Sequence, residues 1–520
     1  MSLNCNRLIL LLGAVLALGG FLLVSGTRAG IGFPLDDAWI HQTYARNLAQ
    51  RGEWSFLPGQ PSAGSTAPLW SALLAGGHLV GRGTPYGWTF FLGGLCLALL
   101  AICGQEAFNR LERPTQLAPL EPLEPLTLRD RRALPWVGLL LLVEWHLVWA
   151  ASSGMETTLQ ALLGVAVFAL LLRPSTRGRM FAAGLLAGLS AWVRPDGLTL
   201  IGPVLFVTFF QPGAGRTRWT RIGLALAGFG LLFLPYLGFN LALAGEWWPN
   251  TFYAKQAEYA VLTSQPLLAR LGSLAALPLV GVGVVLLPGV LYAILKAVRR
   301  LLPGRSRPVA VLSGDLVLLA MTLWWLGYTL IYALRLPVTY QHGRYLMPAM
   351  PVLFLLGLVG STWLLADLPL TQKWRRRLRF AAALTLAGVA VSFYALGARS
   401  YSEDVAIIET EMVQTAHWVA DNTPPDALIA AHDIGALGYY ADRELLDLAG
   451  LISPEVIPFI RDETRLAAYL DQSGVDYLVT FPAWYPRLVQ GRDPVHVTGG
   501  AVAPAQGGEN MVVYRWLAVP

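Results

Sequence analysis

This sequence is short of charge. Asp, Glu, Lys and Arg make up 13% of its 520 residues, about half the share found in an ordinary soluble domain, whereas hydrophobic residues make up 55%. That balance leaves too little polar surface to face water, which excludes a soluble globular protein. Cysteine is nearly absent: Cys5, Cys96 and Cys103 are the full set, all in or beside apolar segments. The carboxy-terminal part, which has no cysteine, must therefore be stable from its own core. No Gly-rich phosphate loop follows a strand-like run, and no internal repeat is visible. The net charge of +6 does not mark a nucleic-acid binder, because the basic residues fall where topology signals belong.

What the sequence has in quantity is apolar runs near 20 residues long, enough to cross a hydrocarbon core of ~30 Å. Residues 1–398 hold 31 Lys and Arg against 15 Asp and Glu, whereas residues 399–520 hold 7 against 17. This reversal predicts a membrane domain over 1–398 and an extracytoplasmic α/β domain over 399–520. Five basic clusters carry 21 of the 31 cations of the first part: 110–132, 173–179, 216–221, 296–307 and 373–379. Placed in the cytoplasm by the positive-inside rule, they predict about eleven crossings, at 8–25, 86–107, 133–151, 158–172, 180–193, 198–210, 222–243, 272–295, 309–334, 345–366 and 380–397. The first is read as a retained helix rather than a cleaved leader. The amino terminus then lies inside and the acidic tail outside, in the inner membrane. The segment Ala67–Val80 fits this parity only as a helix lying at the outer interface. The spans 180–193 and 198–210 read as a bent pair, and 110–132, with its Pro-Leu-Glu repeats, as a linker. In the tail, a helix over Ile407–Asp421, short apolar runs at 427–431, 445–448, 477–480 and 511–516, and a helix near 464–472 predict a small α/β fold.

The chemistry-bearing residues then collect on the outer loops. Asp36-Asp37 directly follows the first helix, where acids are not needed for topology. A carboxylate there can act as a general base or hold a divalent cation; the alternative is a cap for the helix that follows. Adjacent carboxylates point in different directions, so one of the two faces the site, and Asp36 is preferred. His41 lies one turn beyond Asp37, able to orient the acid or bind metal. Glu156 is the one charge in a very short outer loop, with capping of the next helix as its alternative. Gly343-Arg344-Tyr345, preceded by Gln341-His342, offers a guanidinium fork beside a helix start, suited to a phosphate. Arg194 and Lys255 are weaker candidates of the same kind. Glu144 and His146 are read as a pair within the bundle, and His432-Asp433 as a turn or cap.

These residues carry a resemblance. Asp36-Asp37-Ala38-Trp39-Ile40, Tyr44-Ala45-Arg46-Asn47-Leu48, Gly52, Phe56, Pro58-Gly59, Gly64, Thr66 and Leu69-Trp70 together resemble the first-loop pattern of GT-C glycosyltransferases, in particular the terminal β-(1→2)-arabinofuranosyltransferase branch. Gly154-Met155-Glu156-Thr157, Arg194-Pro195-Asp196-Gly197, Pro249 to Lys255 and Gly343 to Pro348 resemble later blocks of the same branch, so the similarity runs through residues 1 to about 398. It implies a GT-C fold and an inverting transfer of a sugar, arabinofuranose for that branch, from a polyprenyl-phosphate donor to a glycan or glycolipid acceptor. It implies that the first-loop acid, Asp36 or Asp37, is the base and that Glu156 and Arg344 line the site. Joined to the reading of the residues themselves, this gives a catalytic set of Asp36, Asp37 and Glu156, donor-phosphate contacts from Arg344, His342, Arg194 and Lys255, and substrate contacts from His41, Trp39, Tyr345 and Asn250. A divalent cation on Asp36 and Glu156 is allowed but not required. The chain departs from the pattern at Ala63, where the branch leads one to expect an acid before the glycine matched by Gly64. That departure weakens any assignment of the same sugar or acceptor. Two other classes compete. One is a transporter or flippase of a lipid-linked saccharide, which paired broken helices at mid-membrane would signal. The other is a membrane-anchored binding protein that works through its acidic tail.

Overall fold

The computed structural model describes residues 3–81, 85–116, 134–211, 215–301 and 309–516. The linker expected at 110–132 and the end of the 296–307 cluster lie largely outside them. The chain opens with α1 (Leu3–Arg28), α2 (Asp37–Arg51), a two-stranded hairpin of β1 (Ser55–Leu57) and β2 (Gln60–Pro61), and α3 (Pro68–Val80). Next come α4 (Tyr86–Gln116), α5 (Trp136–Val143), α6 (Trp145–Ser152), α7 (Thr157–Leu171), α8 (Arg177–Val193), α9 (Ile201–Phe210) and α10 (Gly215–Ala244). They are followed by α11 (Asn250–Glu258), α12 (Leu267–Ala276), α13 (Val282–Leu301), α14 (Val309–Arg335), α15 (Met350–Asp367) and α16 (Gln372–Ile407). The tail holds α17 (Gln414–Asn422), β3 (Leu428–Ala431), β4 (Glu444–Asp447), α18 (Glu463–Ser473), β5 (Tyr477–Thr480), β6 (Pro494–Val497) and β7 (Val512–Arg515).

The chain is a multi-pass membrane protein. Among the described residues, seven helices are long and apolar enough to cross a bilayer; they correspond to seven of the eleven expected crossings, the one expected at 272–295 being displaced to Val282–Leu301 because α12 and a 3-10 turn occupy its first part. Leu12, Val15 and Leu16 on α1 and Phe380, Leu384 and Val391 on α16 stand exposed, an apolar exterior of the kind that contacts lipid. The other four crossings are short or interrupted. The segment 133–151 breaks at Glu144, whose extended backbone ends α5 and whose carboxylate accepts the Leu147 amide to cap α6. Glu144 also pairs with His146 at 2.8 Å. α7 has 15 residues. α8 stops at the extended Arg194 and continues through a 3-10 turn, Pro195–Leu200, into α9. That turn folds tightly back on α8, since a Cβ on Gly197 would lie 2.3 Å from the Ser190 carbonyl.

Small residues set the closest helix crossings. A Cβ on Gly184 of α8 would sit 1.9 Å from the Ala225 carbonyl of α10. One on Gly360 of α15 would sit 1.8 Å from the Gly289 carbonyl of α13. In lipid, where burial of apolar surface no longer drives association, such backbone approach supplies the packing.

The tail is joined to the membrane part by a single helical run. The helix expected at Ile407–Asp421 is instead the far end of a 51-residue segment, Gln372–Asn422, which passes through residue 398 unbroken. A π-helical turn at Ile408–Val413 turns Glu411 inward, where its buried carboxylate accepts the Met511 amide at 2.9 Å. The tail sheet has the order β4-β3-β5-β7-β6. β3 pairs in parallel with β4 and β5, whereas β7 pairs antiparallel with β5 and β6. The four expected apolar runs supply β3, β4, β5 and β7. The edge strand β6 and the first-loop hairpin went unanticipated, because Pro494-Val495-His496-Val497 and Ser55-Phe56-Leu57 are too short to show a pattern.

Candidate active site

The two adjacent acids of the first loop diverge. Asp36 precedes α2 without capping it. Its carboxylate reaches across to the tail and accepts the amides of Gly435 at 2.6 Å and Ala436 at 2.8 Å. Burial and the neighbouring Asp433 push its pKa up, and the two amide donors pull it back. Asp37 turns the other way and meets the Arg344 guanidinium at 2.5 Å. Burial opposes its charge, but Arg344 and Lys255 outweigh burial and hold the carboxyl well below the usual carboxylate range.

Arg344 is aimed by a strained turn. Gln341, His342 and Gly343 all have positive φ, at 54°, 57° and 70°, a conformation that costs non-glycine residues of order 1–3 kcal/mol each. His342 is held in this turn by Asp404, 2.8 Å from its Nε2, and by edge contacts with Trp145 and Trp149. It is therefore spoken for by Asp404 and is not aimed at a phosphate beside Arg344. Arg344 keeps a buried Nε with no hydrogen-bond partner.

A second charge cluster lies beside the first. Glu156 pairs with Arg194 at 3.0 Å and with His41 Nε2 at 3.4 Å. Burial disfavours its charge, but His41 and Arg194 hold its pKa down at about 2. His41 Nδ1 bonds Ser71 at 2.9 Å, so this histidine orients Glu156 rather than Asp37. Arg194 uses Nε on Asp196, Nη1 on Glu156 and Nη2 on Tyr332, which leaves its fork occupied. Asp36 and Glu156, the two carboxylates allowed for a divalent cation, have their oxygens engaged in separate clusters and do not fit a shared ion. Among the described residues, no group of three or more His, Cys, Asp or Glu side chains is placed to hold a metal.

Two cavities meet at Asp37. The smaller, about 330 Å³, lies among α2, α11, the end of α14 and the 195–199 turn, with Ile40, Met155, Leu198, Phe252 and Ile331 on its apolar walls. Glu156, Arg194 and Tyr345 line its charged end. The larger, about 950 Å³, opens between the membrane part and the tail. Asp37, Lys255 and Arg344 line both. Lys255 stays charged because Asp37, Tyr345 and Glu258 outweigh the cost of burying it.

Two expected substrate contacts lie elsewhere. Trp39 is fully buried in an aromatic cluster with Phe33, Tyr86, Tyr439 and Tyr440, where a large flat side chain serves packing. Asn250 donates to the Leu451 carbonyl at 3.1 Å, and its amide to Ala63 at 3.2 Å, so it ties loop to tail. Conversely, His432 and Asp433 are not merely a turn: both line the larger cavity. Glu258, which faces His432 at 3.3 Å, was missed altogether. The signal that could have found the pair is their place just past β3, since open α/β sheets bind ligands beyond the carboxyl ends of their parallel strands.

Solved structures fix the fold. ArnT from Cupriavidus metallidurans bound to undecaprenyl phosphate is 16% identical, with a TM-score of 0.52, and 97% of each chain is covered. The oligosaccharyltransferase of Archaeoglobus fulgidus tethered with an acceptor peptide is 12% identical, with a TM-score of 0.57 over 99% of this chain and 74% of that one. This chain has the GT-C fold. AglB from the same archaeon, in complex with an inhibitory peptide and a dolichol-phosphate, aligns over 91% of this chain and 69% of that one at 12% identity, with a TM-score of 0.55. Residues 403–514 match a family model described as a domain of unknown function, DUF8728. No curated protein matches the chain in sequence.

Proposed function

We propose that this GT-C chain is an inverting glycosyltransferase that moves a sugar from a polyprenyl-phosphate donor to a cell-envelope glycan or glycolipid. The observation that carries the reading is the position of Asp37, where two cavities meet with Arg344 and Lys255 beside it. The donor phosphate lies against Arg344 and Lys255 at the charged end of the smaller cavity, with its lipid among the apolar walls. The acceptor enters through the larger cavity. Asp37 takes the acceptor hydroxyl proton as that oxygen bonds the anomeric carbon. The bond from that carbon to the phosphate oxygen breaks, and polyprenyl phosphate departs with the electron pair. Arg344 and Lys255 stabilise the charge gathering on the departing phosphate, the term that is usually largest. Glu156, braced by Arg194 and His41, lines the donor side and orients the sugar. The solved relatives bound to undecaprenyl phosphate and to dolichol-phosphate support a lipid-phosphate donor. The charge bias of the loops supports the inner membrane, with the amino terminus inside and the tail domain outside, so transfer takes place at the outer face. Arabinofuranose is the sugar of the branch that the first loop resembles, and Ala63 is where this chain departs from it.

The ion pair between Asp37 and Arg344 bears on how the base is switched on. An acid held this far down is a weak base. A donor phosphate that competes for Arg344 frees Asp37 from its partner and raises its basicity at the moment it is needed. The test is to purify the full chain in detergent and analyse its bound lipids by mass spectrometry. A co-purifying polyprenyl-phosphate sugar, discharged to polyprenyl phosphate on addition of envelope acceptors, is the expected result. Movement of the intact lipid-linked saccharide across vesicles without cleavage would replace this reading with a flippase.

A further inference from the structure

The tail domain lines much of the larger cavity. β3 and β5 are adjacent and parallel, and the chain leaves them in opposite directions, towards β4 and towards the far edge strand β6. A crevice at such a divergence, beyond the carboxyl ends of the strands, is the usual ligand position in open α/β sheets. His432 and Asp433 follow β3, Trp484 and Tyr485 follow β5, and all four line the large cavity across from Glu258. His432 is fixed between Glu258 at 3.3 Å and the Tyr485 hydroxyl at 2.7 Å. One Asp433 oxygen is buried with no hydrogen-bond partner. Trp484 is 49% exposed, yet its ring is braced by His432 and Phe481, each with its centroid 5.0 Å away.

Just past β3, the Gly435 and Ala436 amides are already taken by the Asp36 carboxylate. What the crevice offers beside them is a rigid, exposed aromatic face next to the Asp433 carboxylate, which suits the apolar face and hydroxyl edge of a sugar.

We propose that this crevice binds an uncharged sugar of the acceptor, stacked on Trp484 and hydrogen-bonded by Asp433. The word acceptor rests on the transfer reading above; sugar binding does not. The experiment is saturation-transfer NMR on the detergent-purified full chain, without added donor. The probes are mannohexaose, galactohexaose, arabinohexaose and an eight-residue Ser/Asn peptide. At least one neutral hexasaccharide is expected to bind, with the peptide at least tenfold weaker. Trp484→Ala and Asp433→Asn are each expected to weaken the sugar at least tenfold, with thermal midpoint and co-purified lipid unchanged. The proposal is overturned if none of the three hexasaccharides binds, if the peptide binds as well as the best of them, or if both variants bind as wild type does. Sugar binding by a chain that carries no polyprenyl phosphate would overturn the transfer reading and leave this site standing. Retained lipid with no sugar binding would do the reverse.

Discussion

At the scale of single residues, the proposed transfer chemistry depends on which way one carboxylate points. Asp37→Asn keeps the shape and removes the base. It is expected to lower kcat by about 10²–10⁴-fold, the usual share of a positioned base, with co-purified donor retained. Measured transfer within a few-fold of wild type would remove Asp37 from the mechanism. The ion pair with Arg344 adds a pH signature. In the free enzyme Asp37 is ionised far into the acid range, so kcat/KM for donor should stay flat as pH falls through the range where carboxylates ordinarily titrate. If the donor phosphate takes Arg344, the loaded enzyme holds Asp37 less firmly ionised, and the acid limb of kcat should lie at higher pH than that of kcat/KM. Coincident limbs would rule out competition for Arg344. The sequence already contained the division between the two acids, because adjacent side chains diverge, but not its direction. That was decided by Gly435 and Ala436, amides some 400 positions away, which no local pattern around Asp36 encodes. The partners of His342 and Trp39 were hidden for the same reason: Asp404 and the Tyr439-Tyr440 pair come from distant segments.

At the scale of elements, long apolar helices were legible because hydrophobic length is a local property, and helix ends set by side chains were not. Glu144 stops one helix and caps the next through a single carboxylate, a break the surrounding run of apolar residues conceals. Helix pairing was equally hidden, since it rests on which glycines coincide in space. Gly360 and Gly289 let α15 and α13 touch backbone to backbone. Gly360→Val must push them apart, because its Cβ would lie 1.8 Å from the Gly289 carbonyl. Overpacking of this kind costs about 1–3 kcal/mol or more, so the thermal midpoint in detergent should drop by several degrees. Gly388→Val on α16, where a Cβ meets nothing within 4 Å, should leave it unchanged. Equal midpoints for the two variants would show that this crossing is not tightly packed.

At the scale of the whole molecule, the tail is held over the site by polar contacts made through the first loop. Arg46 donates to the carbonyls of Tyr439 at 2.6 Å and Gly438 at 3.0 Å and lies over the Tyr439 ring. Asp36 accepts the two amides beside them. Because Asp37 is bonded directly to Asp36, the proposed base and the docked tail share one stretch of backbone, and the larger cavity between them exists only while the tail is seated. Asp36→Asn leaves one of the two amides facing an NH₂ group, and Arg46→Ala leaves two carbonyls without their donor. Unsatisfied buried groups of this kind cost about 1–3 kcal/mol each. Both variants should therefore loosen the tail, read as faster proteolysis between residues 423 and 516, and raise KM for the acceptor several-fold. Donor binding in the smaller cavity, which neither side chain lines, should be unaffected. Asp37→Asn should give the opposite pattern, with normal proteolysis and acceptor KM but a collapsed kcat. If Asp36→Asn instead abolishes kcat while the tail stays protected, Asp36 rather than Asp37 is the base, and the amides of Gly435 and Ala436 hold it in a resting position.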